Sequence, residues 1–124
     1  MSKEKGKVGE REVAALLKSY GFEARRGQQF AGGGDSPDVV HNIPGLHIEV
    51  KRTEQLNLYA ALEQAFQDRK AGEYAAVFHR KNQKKWVVVM DAVEFLSLMT
   101  SLEINRNFTR QCSCIFNTDG KKIS

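Results

Sequence analysis

Cysteine, proline and tryptophan are scarce in this chain of 124 residues, at two, two and one. The two cysteines, Cys112 and Cys114, stand one residue apart. They cannot build a disulfide framework, and two thiols alone do not complete a four-ligand zinc site. Reduced thiols in a reducing compartment are the expectation. Long apolar runs are also missing. No stretch approaches the roughly 18–20 consecutive apolar residues of a membrane span, so no membrane partner is expected. The opening residues Met1 to Glu10 are charged and lack the apolar block of a secretory leader, and the expected location is cytoplasmic. What remains is an ordinary soluble mixture, 41% apolar and 27% charged, sufficient for one modest core.

The charge is unequal. Nineteen Lys and Arg stand against fifteen Asp and Glu, a net +4 with a pI near 9.2. A small basic protein suits a polyanionic partner. The cations cluster at Arg25 and Arg26, at Lys51 and Arg52, and along Arg80, Lys81, Lys84 and Lys85. Solvated hairpin tips would produce the same clusters, so charge alone leaves the partner open.

Periodicity predicts a first helix over about Lys3 to Tyr20, with Val13, Leu16, Leu17 and Tyr20 on its apolar stripe and Gly21 as its stop. A short strand follows over Phe22 to Arg26, then a glycine-rich loop from Gly27 to Pro37. Asp38 to His41 reads as a strand, Asn42 to Gly45 as a turn. Leu46 to Lys51 alternates with period two, placing His47, Glu49 and Lys51 on one face. A second helix is expected over about Asn57 to Ala71, then strands over Tyr74 to His79 and Trp86 to Met90 joined by a turn at Lys81 to Lys84. Asp91 with Glu94 resembles a capping box opening a last helix to about Leu102. The reading is one domain over residues 1–102 and a loose tail over 103–124. The order α-β-β-β-α-β-β-α implies a mixed central sheet flanked by helices, an α/β fold.

The chemistry concentrates in the first half. Ten residues separate Asp38 from Glu49, and Lys51 follows two positions later. If the Asp38 strand pairs with the Leu46–Lys51 strand, the two carboxylates converge. Each then resists ionisation unless a cation lies between them. Oxygen ligands of this kind suit Mg²⁺, and a lysine beside the metal can hold the attacking water. The same spacing also fits a Glu–Lys pair on a solvated sheet face. Glu10 borders the buried stripe of the first helix, so it is either a helix-end charge or a third acidic group aimed into a site. Arg11 and Glu12 are expected at the surface. His47 shares a face with Glu49, but Lys51 already fills the role a histidine base would take. Gly32 to Gly34 are not followed by Gly-Lys-Ser/Thr, so no nucleotide cofactor is implied.

Three segments together resemble the PD-(D/E)xK nuclease superfamily. They are Gly6 to Arg11 with Glu10, Gly32 to Asp38 with Pro37, and Ile48 to Lys51 with Glu49. Within it the chain is most similar to the small Holliday-junction resolvases of the archaeal type and their phage and bacterial relatives, over roughly Lys3 to Met90. The resemblance implies a restriction-endonuclease-like core, a prokaryotic, archaeal or phage origin, cleavage of DNA with Mg²⁺ or Mn²⁺, and a homodimer. It implies that Glu10, Asp38, Glu49 and Lys51 are catalytic, and that Asp38, Glu49, the Val50 carbonyl and Glu10 hold the metal. Gln64 matches a glutamine the family often places on the helix after the lysine strand, although it lies off the apolar stripe and also fits a solvent-facing position. Arg25, Arg26, Arg52, Arg80, Lys81, Lys84 and Lys85 are expected to track DNA phosphates, and Gln64 to contact DNA. Branched DNA, such as a four-way junction, is the favoured substrate. The alternatives are a nicking, repair or flap nuclease on the same core, or a DNA-binding module that no longer cleaves.

Overall fold

The structure, a computed structural model, describes residues 3–27 and 38–113. The glycine-rich loop expected over Gly27 to Pro37 therefore falls, beyond Gly27, outside the described residues, as do Cys114 and the last ten positions. Helix α1 spans Lys3–Ser19, strand β1 Ala24–Arg26, β2 Val39–His41 and β3 Leu46–Arg52. Helix α2 spans Leu58–Asp68, strands β4 and β5 cover Tyr74–Arg80 and Val87–Val89, and α3 runs Ala92–Ser113. The expected order of elements is the observed one, and the fold is mixed α/β.

Local chemistry sets the element ends. Gly21 adopts φ +94°, the left-handed turn that glycine enters without penalty. The Phe22 N–H then reaches the Leu17 carbonyl at 3.1 Å and the Gly21 N–H reaches Lys18 at 2.9 Å, a paired closure of the helix C-terminus. Asn57 caps α2, its side chain accepting the Ala60 N–H at 3.1 Å. On α1, Val13, Ala14 and Leu17 are buried as the stripe requires, but Tyr20 is 77% exposed. It lies past the last helical turn, where the chain has already left the sheet.

The strands pair differently from expectation. β2 does not join β3. It pairs antiparallel with β1 as a separate two-stranded ribbon, Ala24 opposite His41 and Arg26 opposite Val39. β3 is the edge of a three-stranded sheet ordered β3-β4-β5, parallel to β4, which is antiparallel to β5. Helix α2 supplies the crossover that a parallel β3–β4 pair needs. The register Ile48 to Ala76 and Val50 to Phe78 sends these residues to one face of the sheet. There Ile48 and Val50 form a core with Val13, Ala14, Leu17 and Val39. On the other face Ala75 and Val77 pack on Ala61, Leu62 and Ala65 of α2. Glu49 and Lys51 share that second face, by the two-residue period of β3.

The chain divides into two units, one reaching Asp91 and the second beginning at Ala92. In the second, α3 continues to Ser113, past the Leu102 boundary and into the stretch expected to be loose. The backbone holds its helix there although the apolar periodicity fades. Among the described residues, no helix is long and apolar enough to cross a membrane.

Candidate functional site

Asp38 stands immediately before β2, and its link to β3 is not a strand ladder. Its Oδ2 accepts the backbone N–H of Val50 at 2.9 Å, a side-chain bond occupying the outer edge of β3. This places the carboxylate beside Glu49, the next residue back along the strand. Glu49 is 4% exposed, deep for an acid. Its Oε2 lies 3.7 Å from Lys51 Nζ and its Oε1 3.6 Å from His47 Nε2. Lys51 Nζ also donates to Gln64 Oε1 at 2.9 Å. The His79 ring nitrogen Nδ1 lies 3.0 Å from the Lys51 carbonyl oxygen, steadying the backbone at that residue.

Glu10 reaches the same region from α1. Its neighbour Gly9 makes this possible: a Cβ at Gly9 would stand 2.9 Å from Arg52 Cβ and 3.3 Å from Val50 Cγ1. Only a residue without a side chain lets the helix come this close to β3. Glu10 Oε1 accepts from Arg26 Nε at 3.1 Å.

The electrostatics tie the three acids together. Burial raises the Asp38 pKa from 3.8 to about 6, the negative charge of Glu49 adds to this, and the Val50 N–H works against it. Glu10 is also raised, first by burial, with Arg26 opposing and Glu49 contributing. The Glu49 carboxylate in turn raises His47 against the effect of burial. Two carboxylates whose ionisation is hindered by burial and by the charge of Glu49, presenting with it only oxygen donors, make a site that a divalent cation relieves. That donor set fits a hard cation.

Several other residues stand apart from expectation. Glu12 is not a bystander: its Oε1 accepts from Arg80 at 2.8 Å and from Arg52 at 3.4 Å. Three of the cations expected on phosphates are thus paired within the protein, Arg26 with Glu10 and Arg52 and Arg80 with Glu12. Arg80 is the last residue of β4, one past the His79 expected to end it. Arg25, Lys81, Lys84 and Lys85 are exposed. Gln64 is exposed, and its amide oxygen is engaged by Lys51. Sequence reasoning missed Gln64 as a partner for Lys51, Gly9 as the close-approach residue, and the buried His47–Glu49 contact. For the last, the signal was available in the period-two spacing. A cleft of about 620 Å³ opens beside these groups, lined among others by Asp38, His41, His47, Glu49, Gln64 and Asp68.

Comparison with known proteins gives a consistent answer. The curated proteins include no match to this sequence. Among solved structures, the chain is similar to Hjc of Archaeoglobus fulgidus, a Holliday junction resolvase from an archaeal hyperthermophile. The two share 29% identity with a TM-score of 0.51, over 69% of this chain and 72% of that one. The family model for archaeal Holliday junction resolvase (hjc) matches residues 1–107, a span that holds every acid of the site. With the PD-(D/E)xK pattern distributed over α1, the residue before β2, and β3, the chain belongs to the archaeal Holliday junction resolvase family.

Proposed function

We propose that this protein is an endonuclease that resolves four-way DNA junctions with Mg²⁺ or Mn²⁺, and that Glu10, Asp38, Glu49 and Lys51 carry the reaction. The observation that supports it most is the convergence of Asp38 and Glu10 on Glu49, whose charge adds to burial in raising both, with Lys51 at 3.7 Å from Glu49. Asp38, Glu49, the Val50 carbonyl and Glu10 would hold the cation. When bound, a divalent cation neutralises charge building on the phosphate oxygens and acidifies the attacking water.

The chain's own residues do the rest. The Val50 N–H fixes Asp38 to β3. Lys51 Nζ, held by Gln64 Oε1, offers its remaining protons to the water or to a non-bridging phosphate oxygen, orienting the nucleophile for in-line attack. The ammonium stays beside the charge that develops there. Arg25, Lys81, Lys84 and Lys85 meet phosphates as exposed cations. Arg26, Arg52 and Arg80 reach DNA only by giving up their carboxylate partners, and their larger role is to hold Glu10 and Glu12.

The chain acts as a homodimer in this reading. A junction presents two equivalent scissile strands while one chain offers one site, and twofold symmetry matches the two. The test compares Mg²⁺-supported cleavage of a four-way junction, a matched duplex and a flap, with the mass in solution measured by light scattering. Paired symmetric incisions confined to the junction by a dimer are expected. Preferred cleavage of the duplex or flap, or a monomer with junction bound, would favour a nicking or flap nuclease. Binding without cleavage would leave a DNA-binding module.

A further inference from the structure

His47 is not explained by the reaction. It is 7% exposed, and its Nε2 has no hydrogen-bond partner. A buried imidazole nitrogen left unpaired costs free energy unless something else binds it. Glu49 Oε1 stands at 3.6 Å, an ion-pair separation too long for a hydrogen bond. Across the cleft is Asp68, the last residue of α2. One ligand atom from each of His47, Glu49 and Asp68 lies within 4.8 Å of the others. Donor atoms about 2.1 Å from a shared first-row cation stand about 3–4 Å apart. A shift of about 1 Å at Asp68, the exposed member, would close the set.

We propose that His47, Glu49 and Asp68 form a second cation site, specific for an imidazole-accepting divalent metal such as Zn²⁺. A nitrogen with two carboxylates is a softer donor set than the all-oxygen group of Asp38, Glu10 and Glu49, so it discriminates against Mg²⁺. Glu49 belongs to both sets through different oxygens: Oε1 faces His47 and Oε2 faces Lys51. Zn²⁺ on His47 and Asp68 would engage Glu49 and take it from the all-oxygen set. Occupancy therefore inhibits the Mg²⁺-supported reaction. That effect on cleavage rests on the proposed nuclease reading; the binding of Zn²⁺ does not.

The test titrates Zn²⁺ alone into the full-length protein by calorimetry, with Cys112→Ser and Cys114→Ser in every sample so that thiols do not compete. One equivalent should bind. Asp68→Asn, at an exposed position where folding is not at stake, should weaken binding at least tenfold, and His47→Gln likewise. Asp38→Asn should leave it within threefold. In junction cleavage with Mg²⁺, Asp68→Asn should match wild type but resist Zn²⁺ inhibition. No Zn²⁺ binding, equal affinity in wild type and Asp68→Asn, or dependence on Asp38 instead of Asp68 would overturn the second site. Zn²⁺ binding as described without any junction cleavage would retain the site and defeat the nuclease reading.

Discussion

Glu49 sits where a lysine, a histidine and a second carboxylate crowd one side chain. Lys51 faces one oxygen, His47 the other, and the raised Asp38 lies at the strand edge beside it. The Asp38 shift has a consequence for folding. Its folded pKa, about 6, exceeds the unfolded 3.8, so between these values the folded state binds more protons. Stability from this group is present below about pH 4 and is lost as pH rises through about 6. In metal-free protein, wild type should therefore lose stability relative to Asp38→Asn over that window, measured as thermal midpoints at each pH. Asn keeps an acceptor for the Val50 N–H, and Mg²⁺ should restore the wild type above pH 6. Parallel pH profiles for the two proteins would remove the charge coupling. Lys51 gives a second prediction. Arginine preserves its charge, but a planar guanidinium of different reach misplaces the proton that orients water. A misplacement of about 1 Å can cost on the order of a hundredfold in rate. Lys51→Arg should cut kcat at least tenfold with folding and junction affinity little changed, while Lys85→Arg at the exposed turn behaves as wild type. Equal small effects would reduce Lys51 to a surface ion pair. The period-two pattern of β3 was legible at this scale because face assignment needs only local alternation. The pairing of Glu12 with Arg52 and Arg80 was not, since those partners lie 40 and 68 positions away in sequence.

Among the elements, the decisive contact is the approach of α1 to β3 at Gly9. Alanine there would favour the isolated helix by about 1 kcal/mol, but its Cβ would meet Arg52 Cβ at 2.9 Å. That clash is with the root of a side chain on a buried strand, which cannot swing aside. Gly9→Ala should destabilise the protein by about 1–2 kcal/mol net and lower cleavage by displacing Glu10. Chemical denaturation and single-turnover rates measure both. A variant as stable as wild type with unchanged rate would mean that the helix adjusts without cost to the site. The helix ends at Gly21 and Asn57 were readable because capping is written in single residues. The pairing of β2 with β1 was not, because strand partners depend on tertiary closure and β2 is only three residues long. The approach of Asp38 to Glu49 arises anyway, through a side chain bonded to the strand edge in place of a ladder. The extent of α3 was likewise hidden, since a helix can persist where no apolar stripe marks it.

For the whole molecule, the question is how a modest +4 charge engages DNA. The ion pairs of Arg26, Arg52 and Arg80 leave Arg25, Lys81, Lys84 and Lys85 as the exposed members of the expected phosphate set. Four phosphate contacts per chain, eight in the dimer, would reduce affinity about ten-thousandfold between about 50 and 200 mM salt, whereas seven per chain would give more than ten-millionfold. Junction binding measured across that range distinguishes the two, and a flat response would contradict electrostatic binding altogether. In the proposed reaction, carboxylates from α1, from β3 and from the residue before β2 make one cation site that cleaves DNA with Lys51. Single-turnover cleavage of a four-way junction in Mg²⁺, comparing wild type with Asp38→Asn and Glu49→Gln at saturating protein, probes that site. Wild type should make paired incisions and both variants should lose at least a hundredfold in rate, with junction affinity equal or tighter because a charge repelling phosphate is gone. Either variant retaining more than a few per cent of the wild-type rate while folded and bound would contradict that assignment.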